Sequence, residues 1–121
     1  MFSVKSEAIN AFLEASKNNH PDEFICFLSG NIKQETVEEI VVLPAEFGKN
    51  YSMIRTHLIP FDSSYVGTAH SHPSGSNWPS KEDLQTFSRT GQIHLIASYP
   101  YAVENIQAFT NKGKNTQIKI I

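Results

Sequence analysis

Cysteine, long apolar runs and surplus positive charge are all scarce in this sequence of 121 residues. The single cysteine, Cys26, cannot form an internal disulfide, which excludes the small secreted folds that depend on several of them. The longest apolar runs, residues 24–28 and 40–43, are far shorter than the ~20 residues of a membrane-spanning helix. The first residues also lack the apolar core of a signal peptide. We therefore expect a soluble, cytoplasmic protein with no membrane partner.

The charge balance bears on nucleic-acid binding. Ten lysines and arginines stand against 12 aspartates and glutamates, which gives a formal net charge of −2. Obligatory nucleic-acid binders usually carry a basic surplus, so we expect no nucleic-acid partner. At about 150 residues per domain, the chain is predicted to form one domain over residues 1–121, large enough for a core without disulfides.

Two segments show apolar residues at the three- and four-residue spacing that is typical of amphipathic helices. The first covers residues 3–18, with Ser3 as the predicted N-cap. Its apolar stripe comprises Val4, Ala8, Ala11, Phe12 and Ala15, widened by Ile9 and Leu13. The second helix covers residues 80–89 and follows a loop at residues 74–79 that is dense in turn residues.

Strands account for most of the remaining pattern. The predicted strands are residues 23–28, 35–43, 51–59, 66–72, 93–98 and 102–109, with a hairpin turn at 111–114 leading into a last strand at 117–121. Two helices with six or seven strands predict a mixed α/β domain of the α+β kind. One helix is expected before the sheet and one inserted in it.

His70, His72 and Asp83 form the pattern with the clearest chemistry. Side chains two positions apart on a strand point to the same face, so His70 and His72 present two imidazoles side by side. The loop then turns the chain, which allows the first turn of the next helix to return Asp83 as a third ligand. Two imidazoles and one carboxylate suit Zn²⁺ and leave one position for water, as in catalytic zinc sites.

Each of these residues also has a purely structural explanation. A His-x-His pair can arise by chance on a surface. Ser80-x-x-Asp83 is also the pattern of a helix N-terminus, with Ser80 as N-cap and an acid in the first turn. The two roles are compatible, because a cap determines where the helix starts and so where Asp83 points.

The order of these residues resembles the signature of the JAMM (MPN+) metalloproteases, and in particular their short archaeal members. That signature is His-x-His-Pro, six residues, Ser, two residues and Asp. The matching residues in this sequence are His70, His72, Pro73, Ser80 and Asp83. The family also has a glutamate just after its first helix, where this sequence has Glu23. Cys26 departs from the family, which often has glycine there, and we expect only local repacking around it.

The resemblance implies a fold, a metal and a set of roles. The fold would be a single MPN domain with a twisted mixed sheet flanked by two helices and a cytidine-deaminase-like architecture. His70, His72 and Asp83 would hold one Zn²⁺ ion per chain. Glu23 would act as the general base that activates water and passes the proton to the leaving amine. Ser80 would hydrogen-bond the developing oxyanion.

The resemblance also implies a substrate, the isopeptide or peptide bond after the C-terminus of a small ubiquitin-like modifier. The tail of the modifier is predicted to add to an exposed strand edge near the zinc, with residues 63–68 or the 77–80 loop as its flanks. A homodimer or another partner would be one way to complete that groove.

Two other functional classes stay open. One is a metal-free MPN scaffold that only binds proteins. The other is a RadC-like domain linked to DNA repair, although such domains usually have asparagine where this sequence has Ser71. A metal-free scaffold usually lacks one or more ligands, and here the full set of ligand residues is present.

The remaining candidate side chains carry weaker signals. Cys26 lies within an apolar run, and we expect an inert core thiol there. His20, His57 and His94 are expected to be surface or packing residues. His94 would approach the metal only if the fold brought its strand there. The aromatic loop residues, predicted to pack rather than to line a groove, are Trp78, Tyr99 and Tyr101.

Overall fold

The computed structural model describes residues 1–42 and 64–121. In chain order, the elements are β1 (Phe2–Val4), α1 (Ser6–Asn19), β2 (Ile25–Asn31), β3 (Thr36–Val42), β4 (Tyr65–His72), α2 (Lys81–Phe87), β5 (Ile93–Ser98), a 3₁₀ helix (Val103–Asn105), β6 (Ile106–Thr110), β7 (Asn115–Thr116) and β8 (Ile118–Ile120). The predicted strand at residues 51–59 and His57 lie outside the described residues.

One mixed sheet contains all of these strands, in the spatial order β7-β6-β5-β4-β2-β3-β1-β8. β4 is central, since it pairs antiparallel with β2 and parallel with β5. β1 pairs parallel with both β3 and β8, whereas β6 pairs antiparallel with both β5 and β7. The strand that carries the two histidines is therefore positioned by a neighbour on each side.

The last residues of the chain bring the two edges of the sheet together. β7 and β8 are separated in sequence only by Gln117, yet they stand at opposite ends of the strand order. Consecutive Cα atoms are about 3.8 Å apart, so the two edges must lie next to each other. The sheet thus curls towards closure.

The two helices cover opposite faces of the sheet. α1 packs on the face to which Leu28 and Leu95 point. Ile96 points to the other face, where it packs against Phe87 of α2. Ile96 is the β5 partner of His70, so the histidines share the face that α2 covers.

The predicted fold class is confirmed. Two helices flank a twisted mixed sheet, in an α+β arrangement. The predicted strand at residues 93–98 coincides with β5, and the one at 66–72 with β4 apart from one added residue. No helix within residues 1–42 and 64–121 is long and apolar enough to cross a lipid bilayer.

The predicted first helix is wrong at its start. α1 begins at Ser6, and Ser3 is not its N-cap but a residue of β1. β1 gains hydrogen bonds from β3 and β8, two strands that are remote in sequence, and local periodicity cannot show this pairing. Ala11 of the predicted stripe is exposed. The residues that α1 buries are Ala8, Ile9, Phe12, Leu13 and Ser16.

Several strand and helix limits also differ from the prediction. β2 begins two residues after Glu23 and continues through the predicted turn at residues 29–31, with a register shift after Ser29. The start of the predicted strand at 102–109 is the 3₁₀ helix. Beyond the turn at 111–114 the chain pairs with β6 only over β7, and β8 continues to β1. α2 ends at Phe87, two residues earlier than predicted.

One of the two flanks predicted for the modifier tail, residues 63–68, is not an exposed strand edge in the part that the structure describes. Tyr65 to Thr68 belong to β4, and β2 and β5 occupy both sides of that strand. A peptide could add there only by displacing one of them. Of the two predicted flanks, the 77–80 loop is the one that the described strands leave accessible.

Candidate metal centre

His70 and His72 lie at the C-terminal end of β4 and point to the same face. The His70 side chain is completely buried between β2 and β5, whereas His72 is partly exposed. Their Nε2 atoms are 3.1 Å apart. The alternation of the strand thus produces the side-by-side pair of imidazoles that the spacing predicts.

Asp83 reaches the same point because α2 begins in a defined way. The Ser80 hydroxyl accepts a 3.1 Å hydrogen bond from the Asp83 N–H, and Asp83 Oδ2 accepts a 2.8 Å bond from the Ser80 N–H. This reciprocal capping box sets the first turn of α2. It places the Asp83 carboxylate oxygens 3.3 Å from His70 Nε2 and 3.2 Å from His72 Nε2. Ser80, the predicted N-cap, itself lies exposed beside the cluster.

A main-chain contact sets the orientation of the His72 ring. Its Nδ1 donates a 3.0 Å hydrogen bond to the Ser76 carbonyl oxygen. In neutral His72 the Nε2 atom therefore carries a lone pair, and it faces the carboxylate of Asp83. Two acceptors approach this closely only when a cation, either a proton or a metal ion, lies between them.

The charges of the cluster are complementary. Burial by itself would raise the pKa of Asp83, but hydrogen bonds from His70 and His72 outweigh it and hold that pKa well below its usual range. Burial would likewise lower the pKa of His72, yet its contacts with Asp83 and the Ser76 carbonyl leave that pKa raised. The arrangement favours an anionic Asp83 next to positive charge.

Glu23 approaches the histidines from the connection between α1 and β2. One of its carboxylate oxygens lies within 4.8 Å of a ring nitrogen of both His70 and His72. Burial raises the pKa of Glu23, and the two histidines act in the opposite direction. A carboxylate with a raised pKa beside a cluster of metal-ligand residues is suited to accept a proton.

The donor atoms fit a divalent metal ion with tetrahedral geometry. The 3.1 Å separation of the two Nε2 atoms is close to the ligand–ligand spacing of about 3.3 Å in a tetrahedron with bonds of ~2.0 Å. Asp83 brings one carboxylate oxygen to each ring, Oδ1 at 3.3 Å from His70 Nε2 and Oδ2 at 3.2 Å from His72 Nε2. Imidazole nitrogens and carboxylates are also the donors that such ions prefer. Glu23, His70 and His72 form a second overlapping group that could hold a metal ion.

Two other candidate residues lie away from this cluster. His94 is buried on β5, where its ring stacks on Phe87 at 4.3 Å and its Nδ1 lies 2.7 Å from the Thr68 hydroxyl. It is a packing residue. Among the described residues, the group of side chains that could hold a metal ion contains Glu23, His70 and His72 but not His94. Cys26 is fully buried in the core, and burial raises the pKa of its thiol, as expected for an inert cysteine.

The remaining aromatic and histidine candidates pack against one another. His20 stacks on Tyr99 at 4.8 Å, and its Nδ1 lies 2.8 Å from the Tyr101 hydroxyl. Trp78 is exposed but sets its ring edge against Phe109 at 5.6 Å. Tyr101 is buried, whereas Trp78 and Tyr99 make these ring contacts while staying largely exposed.

Two residues contribute to the site without a signal of their own in the sequence. Ser76 orients His72 through its carbonyl oxygen, which any residue could supply. Ser71 accepts a 2.8 Å hydrogen bond from the Phe24 N–H, directly after Glu23. The strand alternation that pairs His70 with His72 places Ser71 on the opposite face, but it does not show that Ser71 contacts the residue after Glu23.

Comparison with known proteins identifies the family. Residues 5–112 match a protein family described as prokaryotic homologs of the JAB domain. The chain belongs to that family. This membership agrees with the JAMM/MPN resemblance of the sequence.

Individual relatives resemble this JAB-domain chain over nearly its whole length. A probable metalloprotease from Haloferax volcanii is 31% identical over 127 residues, covering 98% of this chain and 78% of that protein. A JAB1/MPN domain protein from Archaeoglobus fulgidus has 33% identity and a TM-score of 0.78, covering 99% and 97% of the two chains.

Two further solved structures share the fold. One, described as JAMM, a metalloprotease-like zinc site in the proteasome and signalosome, has 32% identity and a TM-score of 0.79, covering 100% of this chain and 98% of that chain. A protein from Desulfitobacterium hafniense, at 17% identity and a TM-score of 0.68, covers 100% and 93% and is similar in fold.

Proposed function

We propose that this protein is a zinc-dependent isopeptidase that removes small ubiquitin-like modifiers from their conjugates in the cytoplasm. The observation that carries the proposal is the convergence of His70, His72 and Asp83 within 3.3 Å, with Glu23 facing the two histidines. The zinc site named for one solved relative and the metalloprotease name of another support it.

In the proposed reaction His70, His72 and Asp83 would hold the metal. A bound Zn²⁺ would lower the pKa of a coordinated water to about 7 and polarise the scissile carbonyl. Glu23 accepts the proton of the attacking water and later delivers it to the leaving amine. The Ser80 hydroxyl, exposed beside the cluster, donates a hydrogen bond to the developing oxyanion while its oxygen continues to cap α2.

The substrate class follows from the resemblance to short archaeal JAMM proteins. A ubiquitin-like modifier presents an extended C-terminal tail, which can lie along a shallow surface near the metal. The 77–80 loop is our proposed flank for this tail, because it leads from the histidine strand into α2 and carries the exposed Trp78. A homodimer could complete the groove.

The decisive experiment incubates the zinc-loaded protein with conjugates of its host's own ubiquitin-like proteins. We expect release of free modifier, and we expect a chelator to block it. A protein that is purified without added metal, contains no zinc, and cleaves nothing when zinc is added would overturn the proposal and favour a binding scaffold. Binding to duplex DNA that weakens steeply with salt would favour the RadC-like class instead.

The role of Glu23 is tested by Glu23→Gln. The amide keeps the shape of the side chain but cannot accept the proton, so turnover should fall by at least about 10²–10⁴-fold while zinc stays bound. Glu38→Gln on β3 makes the same chemical change at an exposed position and should leave the rate unchanged. A Glu23→Gln protein with normal activity would refute the assignment of the base.

A further inference from the structure

Side chains from two distant elements bind both polar groups of the peptide unit that joins Glu23 to Phe24. The Glu23 carbonyl oxygen accepts a 2.7 Å hydrogen bond from Asn19 Nδ2. The Phe24 N–H donates a 2.8 Å hydrogen bond to Ser71 Oγ. We call these two bonds the Glu23 clamp.

The clamp acts where strand pairing does not yet hold the chain. β2 begins at Ile25, so Glu23 lies in the connection that follows α1. A main-chain bond from the Ser71 N–H to the Phe24 carbonyl, 2.9 Å long, joins the same two segments. Because the peptide plane is bound at both its C=O and its N–H, rotation about the adjoining Glu23 torsion is restricted. The direction in which the Glu23 side chain leaves the backbone is restricted with it.

We propose that Asn19 and Ser71 are positioning residues that aim the Glu23 carboxylate at the histidine pair. The inference rests on the proposed role of Glu23 as general base. Ser71 is completely buried and points to the face of β4 opposite to His70 and His72. Asn19 is the last residue of α1 and is exposed. Their influence therefore passes through the Glu23 backbone rather than through the metal ligands.

Ser71→Ala removes half of the clamp. We expect kcat on a ubiquitin-like conjugate to fall about 10- to 100-fold, because small displacements of a catalytic group cost this much, while KM and the zinc dissociation constant stay within about twofold. Ser71→Thr keeps the hydroxyl and should recover most of the loss. Ser16→Ala is the matched control, since it removes a buried hydroxyl that bonds the Phe12 carbonyl inside α1, and it should leave kcat unchanged.

Asn19→Ala removes the other half at an exposed position, where folding is not at risk. It should also lower kcat without weakening zinc binding. Asn18→Ala is its control, because Asn18 is an exposed neighbour with no side-chain hydrogen bond to the rest of the described chain. In a Glu23→Gln background both clamp variants should have no further effect, whereas a general weakening of the fold would lower residual activity in either background.

A second readout requires neither metal nor substrate. In the metal-free protein, nuclear Overhauser contacts should join the Glu23 side chain to the rings of His70 and His72, and both clamp variants should weaken them. Clamp variants that keep these contacts and full kcat, or a wild type without the contacts, would overturn the inference. If the wild type cleaves no conjugate and the contacts still respond, the proposed function fails and the clamp stands.

Discussion

His94 is a histidine whose environment permits only the neutral form near pH 7. Its Nε2 lies 3.2 Å from the Gly91 carbonyl oxygen, to which it donates, so its Nδ1 accepts from the Thr68 hydroxyl at 2.7 Å. Burial against Phe87 disfavours the charged ring and lowers its pKa to about 4. The ring therefore anchors α2 to β5 as an uncharged packing group.

This environment predicts an acid-sensitive contribution to stability. Between pH 6.5, near the pKa of an unfolded histidine, and about pH 4, the unfolded chain binds a proton that the folded chain does not. The free energy of unfolding should thus be highest above pH 6.5 and fall by about 3 kcal/mol as the pH drops towards 4. Urea titrations of the metal-free wild type and of His94→Gln measure this, and the variant should lose that part of the slope. Equal slopes in the two proteins would contradict it.

At the residue scale, the sequence predicts contacts that depend on local spacing. The two-residue spacing of His70 and His72, and the three-residue spacing of Ser80 and Asp83, are geometric properties of a strand and of a helix start. Their proximity follows once a turn joins the two elements. The bond from Phe24 to Ser71 spans 47 residues and requires a particular pairing of β2 with β4, which no local pattern contains.

The N-terminus of α2 links stability with the proposed chemistry. Ser80 is both the cap of the helix and the proposed oxyanion donor, so its two functions need separate measurements. Ser80→Ala should destabilise the protein by about 1 kcal/mol through the lost cap and lower kcat by about 10²–10³-fold. Ser80→Thr retains a hydroxyl for both purposes and should preserve most of each. An alanine variant that loses stability but keeps its rate would remove Ser80 from the mechanism.

The pairing of β4 with β5 depends on a glycine near the start of the histidine strand. A Cβ atom added at Gly67 would overlap the Ile93 carbonyl group of β5. Gly67→Ala should therefore force the strands apart, destabilise the protein by about 1–3 kcal/mol or more, and weaken zinc binding because His70 and His72 lie on the same strand. Gly75→Ala is the control, since an added Cβ there meets nothing within 4 Å. Equal unfolding temperatures and zinc affinities for the two variants would refute this.

At the scale of elements, some strands follow from the local sequence pattern, whereas others form only because tertiary pairing supplies their partners. β4 and β5 match their predicted limits closely, and both strands are buried over most of their length. β1 is only three residues long, and the apolar spacing of the sequence there is also typical of the first turn of an amphipathic helix. It becomes a strand because β3 and β8, from distant parts of the chain, supply partners on both sides.

For the whole molecule, the candidate metal site joins parts of the fold that are far apart in sequence. β4 supplies the two histidines, α2 supplies Asp83, and the connection after α1 supplies Glu23. Without a metal ion, the Asp83 carboxylate and the histidine nitrogens depend on protons for a compensating charge. Binding of a metal to the folded chain alone should therefore raise the stability of the entire domain by mass action.

Metal removal tests this coupling across the molecule. With free zinc at about 100 times its dissociation constant, the protein should gain about 2.7 kcal/mol and about 10 °C in Tm, and a chelator should reverse both. His72→Ala should abolish the zinc-dependent shift because it removes a ligand, whereas Glu23→Gln should keep most of it because the base is not required to hold the ion. Calorimetry of the wild type, His72→Ala and Glu23→Gln, each with and without zinc, measures the shift in Tm. A shift that survives in His72→Ala would place the metal elsewhere, and one that disappears in Glu23→Gln would make Glu23 a ligand rather than a base.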